Sequence, residues 1–198
     1  TRTRARGKVD VALGTARARA ALLLTLALPG SVYLYQGEEL GLPESQDIPD
    51  DARRDPIWER SGRTEHGRDG SRIPLPWSAD GASFGFSPPG AVQPWLPQPE
   101  WFATFAVDRQ DDPYSMLAFY RQAISGRDSI DPAAPFEWLD TGRDDVLAFR
   151  RGAVVSVTVF AGAPYAPPPG WGDWLLRSDY RPGNTALPPN STGWLLKG

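Results

Sequence analysis

The sequence predicts an α/β unit followed by a small antiparallel β module. Three observations predict it. Residues 9–28 form an Ala-, Leu- and Arg-rich helical run that stops at Pro29-Gly30. Residues 31–36, SVYLYQ, follow at once, with the β-branched and aromatic content of a parallel strand covered on both faces. Beyond residue 135, short strand-like runs alternate with turn clusters such as DTGRDD and APPPGWG, the pattern of antiparallel β structure.

Each element has its own warrant. The helix over 9–28 broadens its apolar side toward the C-terminal end, where residues 22–28 are apolar nearly all round apart from Thr25. Such an end is buried against a sheet or other helices. The polar stretch QGEELG comes next, at the carboxyl end of the expected strand, where α/β barrels handle ligands. Residues 37–97 carry no clear periodicity and are rich in Pro, Gly, Arg, Asp and Trp. A loop that long in a compact protein is functional or disordered. A helix is expected over 97–110, with Trp101, Phe102, Phe105 and Ala106 on one face. Asp112-Pro113 reads as N-cap and first helical residue, opening a helix with Met116, Leu117, Tyr120 and Ile124 at helical spacing that ends at Gly126. Strands are expected at Phe136–Leu139, Val146–Arg151, 153–160, Asp173–Arg177 and 193–196. The resulting division is 1–128 for the α/β part, 129–135 for a linker and 136–198 for the β module.

Composition excludes several function classes. With 21 Lys+Arg against 24 Asp+Glu the net charge is −3, which gives no general attraction to nucleic acid or anionic membrane. Residues 1–8 alternate Thr, Arg and Ala and read as a solvated lead-in. The run from Ala20 to Leu28 is too short to span a bilayer. There are no cysteines, so disulfides and thiolate metal sites are ruled out and a cytoplasmic location is expected. The 21 Pro and 20 Gly would fit disorder, but the 8 Trp argue for long ordered loops pinned by aromatic side chains.

Few residues offer chemistry. Glu38 and Glu39 are neighbours, and neighbours on an extended chain face opposite ways, so they are expected to brace a site rather than to share one bond. His66 is the single histidine. Without HExxH or cysteine partners it makes no metal site, and none is expected. The cluster Arg68-Asp69-Gly70-Ser71-Arg72 has two readings. Its guanidinium forks suit sugar hydroxyls, and an Arg–Asp pair equally suits loop stability. No phosphate loop, dinucleotide fingerprint or nucleophile elbow is present, and no cofactor is expected.

YLYQGEELGLPE, GRDGSRIPLPW, SADGASFGF and PWLPQP occur in this order between residues 33 and 99. With the helices ARARAALLLTLALPG and DPYSMLAFYRQAIS and the module FEWLD…VLAFRR…TALPPNSTGWLL, the chain resembles the α-glucosidase and oligo-1,6-glucosidase branch of the α-amylase superfamily, glycoside hydrolase family 13. The resemblance covers essentially all 198 residues. It implies a (β/α)8 barrel followed by an antiparallel β domain, with residues 32–36 as the eighth barrel strand. It implies that Arg68, with Arg72 as the runner-up, contacts the innermost glucose, and that Glu38, Glu39 and Asp69 support the site. It also implies that the nucleophile, the acid/base and the third carboxylate stand on motifs upstream of Thr1, so no catalytic residue is expected here. Two positions depart from the family pattern: Ser71 stands where Cys is common, and Val159 where Asn is usual.

The expected function is the C-terminal portion of a retaining α-glucosidase acting on α-linked gluco-oligosaccharides, inactive alone, with no nucleic-acid or membrane partner. A carbohydrate-binding module without catalysis, or a purely structural one, is the alternative.

Overall fold

The computed structural model describes residues 10–181 and 183–197; the expected lead-in at 1–8 lies outside them. The chain divides into two compact units, one of residues 34–118 and one of the residues up to Tyr33 together with Phe119 onward.

In the latter unit, helix α1 (Val11–Ala27) begins where Asp10 caps it, its Oδ1 accepting from Leu13 N–H at 2.9 Å. It ends as Leu28 turns extended ahead of Pro29. The expected β module is a five-stranded antiparallel sheet: β1 (Phe136–Leu139), β2 (Val146–Arg151), β3 (Val154–Val159), β4 (Asp173–Arg177) and β5 (Ser191–Leu196), in the order β1-β2-β3-β5-β4. β2 and β3 join through a two-residue hairpin with Gly152 at φ 57°.

β3 is buried at every residue, and alternation explains how. Val155, Val157 and Val159 join Val146, Ala148, Tyr165, Leu187 and Leu195 in one core. Thr158, on the opposite face, bonds Thr192 of β5 hydroxyl to hydroxyl at 2.9 Å. Val159 is fully buried in that core, so an apolar residue suits the position where the family pattern has Asn.

α1 packs on β3 and β5. Trp194, fully buried, donates its Nε1–H to Leu23 O at 3.1 Å. Arg19 donates to Ser178 O at 2.8 Å and lies 3.7 Å from the ring centres of both Phe119 and Tyr180. The last turn of α1 has no basic residue of its own. Arg151 supplies the charge, donating to Ala27 O at 3.1 Å and Leu28 O at 3.0 Å, and Arg127 bonds Leu26 O and Gly30 O. Cations at a helix C-terminus satisfy its last carbonyls and oppose its dipole.

Three expectations need correction. Residues 31–35 belong to no sheet, and Tyr33 is 91% exposed. A parallel strand needs neighbours to take up its N–H and C=O groups, and every strand pair among the described residues is antiparallel. The expected helix over 97–110 is two 3-10 turns, Glu100–Phe105 and Val107–Arg109. It breaks because Val107 and Asp108 give their N–H groups to Pro76 O and Trp77 O instead of to the turn before them. Helix α3 (Met116–Gly126) starts later than Asp112. Asp112 closes a turn by accepting from Tyr114 N–H, and the cap is Ser115, whose Oγ accepts from Ala118 N–H at 3.1 Å. The buried face of α3 is Met116, Phe119, Tyr120 and Ala123, with Ile124 outside it at 47% exposure.

Candidate functional site

The unit of residues 34–118 is mostly loop, yet it has a core. Ile48, Ile73, Leu96 and Phe102 are buried together, with Leu42, Ala52 and Phe84 packed on them. Four 3-10 turns and helix α2 (Pro56–Arg60) punctuate residues 37–97. The long segment thus has a core of its own, built by Ile, Leu and Phe, and of Trp58, Trp77 and Trp95 only Trp58 is buried. Trp58 of α2 is buried between the Arg53 guanidinium, 5.1 Å from its ring centre, and His66, 5.6 Å away. That gives the single histidine a packing role.

Two carboxylates lace this loop together. Asp69, 1% exposed, accepts with Oδ2 from Arg54 N–H at 2.7 Å and Asp55 N–H at 2.9 Å. Asp55 answers in the opposite direction. Its Oδ1 accepts from Ile57 N–H as the cap of α2, and its Oδ2 accepts from Arg68 N–H at 2.8 Å and from Arg72 Nη1 at 3.1 Å. The two strings cross where only glycine fits. A Cβ on Gly67, at φ 70°, would stand 2.5 Å from Asp55 Cβ, and one on Gly70 would stand 2.1 Å from Ser45 O.

The expected site residues are placed as follows. The Arg68 side chain is exposed, while its backbone is fixed by Asp55. Arg72 is tethered by Asp55, keeps 43% of its side chain exposed and lines an open groove of about 500 Å³ with Gln36, Leu75, Trp77, Phe86 and Trp95. Arg68 is not among the residues lining that groove. Ser71 donates its hydroxyl to Arg68 O at 2.9 Å. Glu38 and Glu39 stand in a 3-10 turn, not on an extended strand. Glu39 Oε2 accepts from Gly37 N–H at 2.8 Å, and Glu38 is exposed. Both lie two to three residues from Gln36 at the groove.

Asp55 went unseen in the sequence although its signal was present: Asp55-Pro56 is the same cap-and-proline pair that was read at Asp112-Pro113. The aromatic wall of the groove had no periodic signal. Among the described residues no group of three or more His, Asp or Glu is gathered to hold a metal ion, and no helix is long and apolar enough to cross a membrane.

The backbone N–H groups of Ile57 and Arg68, aided by the Arg72 charge, hold the Asp55 carboxyl below the usual carboxylate range. A carboxyl so depressed contributes stability above its unfolded value, near pH 3.9, which is lost as pH falls through the folded value. Acid titration is expected to loosen the loop from about pH 4 downward. Amide protection at Ile57 and Arg68, relative to the unstructured rate at each pH, should fall over that range in the parent and be low throughout in Asp55→Ala; equal profiles in the two proteins would contradict this.

The unit of residues 34–118 thus holds a groove lined by Arg72 and aromatic side chains, and the chain has relatives among known proteins. Residues 1–133 match the family model "Alpha amylase, catalytic domain". The chain belongs to the alpha-amylase family, a family of glycoside hydrolases. It is 36% identical over 142 residues to a probable alpha-glucosidase of Rhizobium meliloti (strain 1021), covering 69% of this chain and 24% of that protein. It is 28% identical over 155 residues to an oligo-1,6-glucosidase of Saccharomyces cerevisiae, covering 65% and 26%. Among solved structures, trehalulose synthase MutB from Pseudomonas mesoacidophila MX-45 matches with a TM-score of 0.72 and 24% identity over 92% of this chain and 38% of that one. The MutB D200A mutant in complex with glucose matches with a TM-score of 0.70 and 25% identity. These solved structures are barrel enzymes of the same superfamily. The chain spans about a quarter of the length of the curated relatives.

Proposed function

We propose that this chain is the C-terminal portion of a retaining α-glucosidase of carbohydrate metabolism. The whole enzyme releases glucose from the non-reducing end of maltose- or isomaltose-type α-glucosides through a covalent glucosyl intermediate. Residues 1–128 belong to the barrel, 129–135 are a linker and 136–198 are the C-terminal β domain. Arg68 and Arg72 bind substrate; Glu38, Glu39 and Asp69 support the site. The enzyme works in the cytoplasm on a soluble sugar.

One observation carries this reading: Arg72 is tethered to Asp55 and still presents its guanidinium to the groove. A guanidinium so fixed offers several donors in a set geometry, which suits the hydroxyl pairs of a pyranose. The names of the relatives support the substrate class. Retaining hydrolysis needs two carboxyl groups about 5 Å apart across the bond. In this reading neither comes from this chain, so its role is to hold sugar while the chemistry is supplied by the rest of the barrel.

The test is glucose release. The purified chain incubated with maltose or isomaltose is expected to release none, and release above the buffer blank would overturn the claim of inactivity. The reading frame upstream of Thr1 is expected to encode an Asn-His-Asp element; a frame that encodes an unrelated domain would overturn the assignment to a larger α-glucosidase.

A further inference from the structure

Among the described residues that line the groove of residues 34–118, Arg72 alone carries a charge. Gln36 is the one other polar side chain, and the rest is apolar, with Trp77, Phe86 and Trp95 as its rings. No carboxylate stands on the lining. The groove therefore offers a broad aromatic floor and one cation. A neutral sugar draws hydrogen bonds from a guanidinium but leaves its charge unanswered.

The Arg72 head is only partly used. Asp55 engages it through Nη1 alone, at 3.1 Å, and the same Asp55 oxygen also accepts from Arg68 N–H, while the other accepts from Ile57 N–H. Asp55 thus divides its charge among three donors. The Nε–Nη2 edge of Arg72 meets no acceptor among the described residues, and 43% of the side chain is exposed. Two parallel N–H groups on one guanidinium edge match the two oxygens of a carboxylate.

The rings are held from behind. Trp77 donates its N–H to Phe84 O at 2.8 Å, and its own carbonyl accepts from Asp108 N–H at 3.3 Å. Phe86 follows Ser83 and Phe84, both at positive φ, a strained pair that persists only where the surroundings impose it. Phe84 anchors them by packing on the core of this unit. Trp95 precedes Leu96, which is buried in the same core, so one side chain turns inward and the one before it stays exposed. Rigid presentation of a side chain to solvent is what a preformed recognition surface requires.

We infer that this groove binds a free aryl carboxylate. The flat ring lies against Trp77, Phe86 and Trp95, and the carboxylate takes the Nε–Nη2 edge of Arg72. Charge and shape both argue for this occupant, since one aromatic body with one negative end answers the whole lining. The volume, about 500 Å³, falls in the range of small-molecule sites. The inference goes beyond the α-glucosidase reading and does not rest on it, because that reading asks only for sugar hydroxyls at Arg72.

The test titrates the full chain with 2-naphthoate, with 2-naphthylmethanol as its neutral counterpart, and with glucose. Ligand-observed NMR reads binding, and far-UV circular dichroism confirms that each variant is folded. Naphthoate is expected to bind about tenfold tighter than the alcohol, the size of one charge-assisted fork. Raising the ionic strength should weaken naphthoate and leave the alcohol unchanged. Arg72→Gln should bring the two ligands to equal affinity. Trp95→Ala, at a side chain 72% exposed and so dispensable for folding, should weaken both by about fivefold. Equal binding of naphthoate and alcohol by the parent would overturn the inference, and so would naphthoate affinity that ignores both Arg72→Gln and Trp95→Ala. If glucose binds and naphthoate does not, the inference is overturned and the α-glucosidase reading stands.

Discussion

Trp194→Ala is expected to destabilise the protein by roughly 3–5 kcal/mol, the cost of emptying a buried aromatic site. The indole has no exposed surface, and it fills the space between β5 and α1. α3 passes so close that a Cβ on Gly126 would stand 3.3 Å from the ring. Helix, strand and helix all touch this one side chain, and none can collapse into the cavity without dragging its own hydrogen bonds. Loss of the Nε1–H bond to Leu23 O adds about 1 kcal/mol. Trp194→Phe separates the two contributions, since it keeps part of the volume and loses the donor. Its cost should fall between that of the parent and that of the alanine variant. Urea denaturation followed by far-UV circular dichroism measures the difference, and amide exchange along α1 localises it. Parent-like exchange in α1 of Trp194→Ala would mean that the helix does not depend on the sheet.

The sheet is the part of the fold most legible in the sequence. β1, β2 and β4 lie at their expected bounds, and β3 and β5 within two residues, because valine-rich alternation and Gly- or Asp-containing turns are local signals. What failed was decided by distant partners. Residues 31–36 have a strand's composition, but a strand is a pairing, and pairing is not a property of six residues. The 97–110 helix was lost to Pro76 and Trp77, which capture the N–H groups it needed. α3 began at Ser115 instead of Asp112 because two competing caps stand three residues apart, and only the one whose oxygen meets the helix N–H wins. The site was half legible. The RDGSR cluster is conspicuous as sequence; in the structure Asp69 accepts from two backbone N–H groups of the loop and Arg72 lines the groove. Its partner Asp55, 14 residues upstream, and the aromatic wall were hidden because neither has a spacing rule.

Asp69→Ala should have the second large effect, and it should be local. The variant leaves the buried N–H of Asp55 and the part-buried N–H of Arg54 without their acceptor, and the buried one alone costs about 1–3 kcal/mol. The loss reaches further than two bonds. Asp55 is positioned by the N–H bond it gives Asp69, and it in turn holds the Arg68 backbone and the Arg72 head. Opening the first link therefore releases the second, and the guanidinium at the groove loses its tether. Residues 44–72 should become open to proteolysis while the sheet of β1–β5, which shares no residue with this network, keeps its amide protection. Gly67→Ala attacks the same crossing from the other side, through a left-handed φ of 70° and a 2.5 Å overlap with Asp55. It should give the same cleavage pattern although it removes no hydrogen-bonding group. If Asp69→Ala opens the loop and Gly67→Ala does not, the strands of this crossing are independent, and Asp69 acts only on its own two amides. If both variants open it, the loop is one cooperative clasp, and the position of Arg72 is set by a carboxylate it never touches.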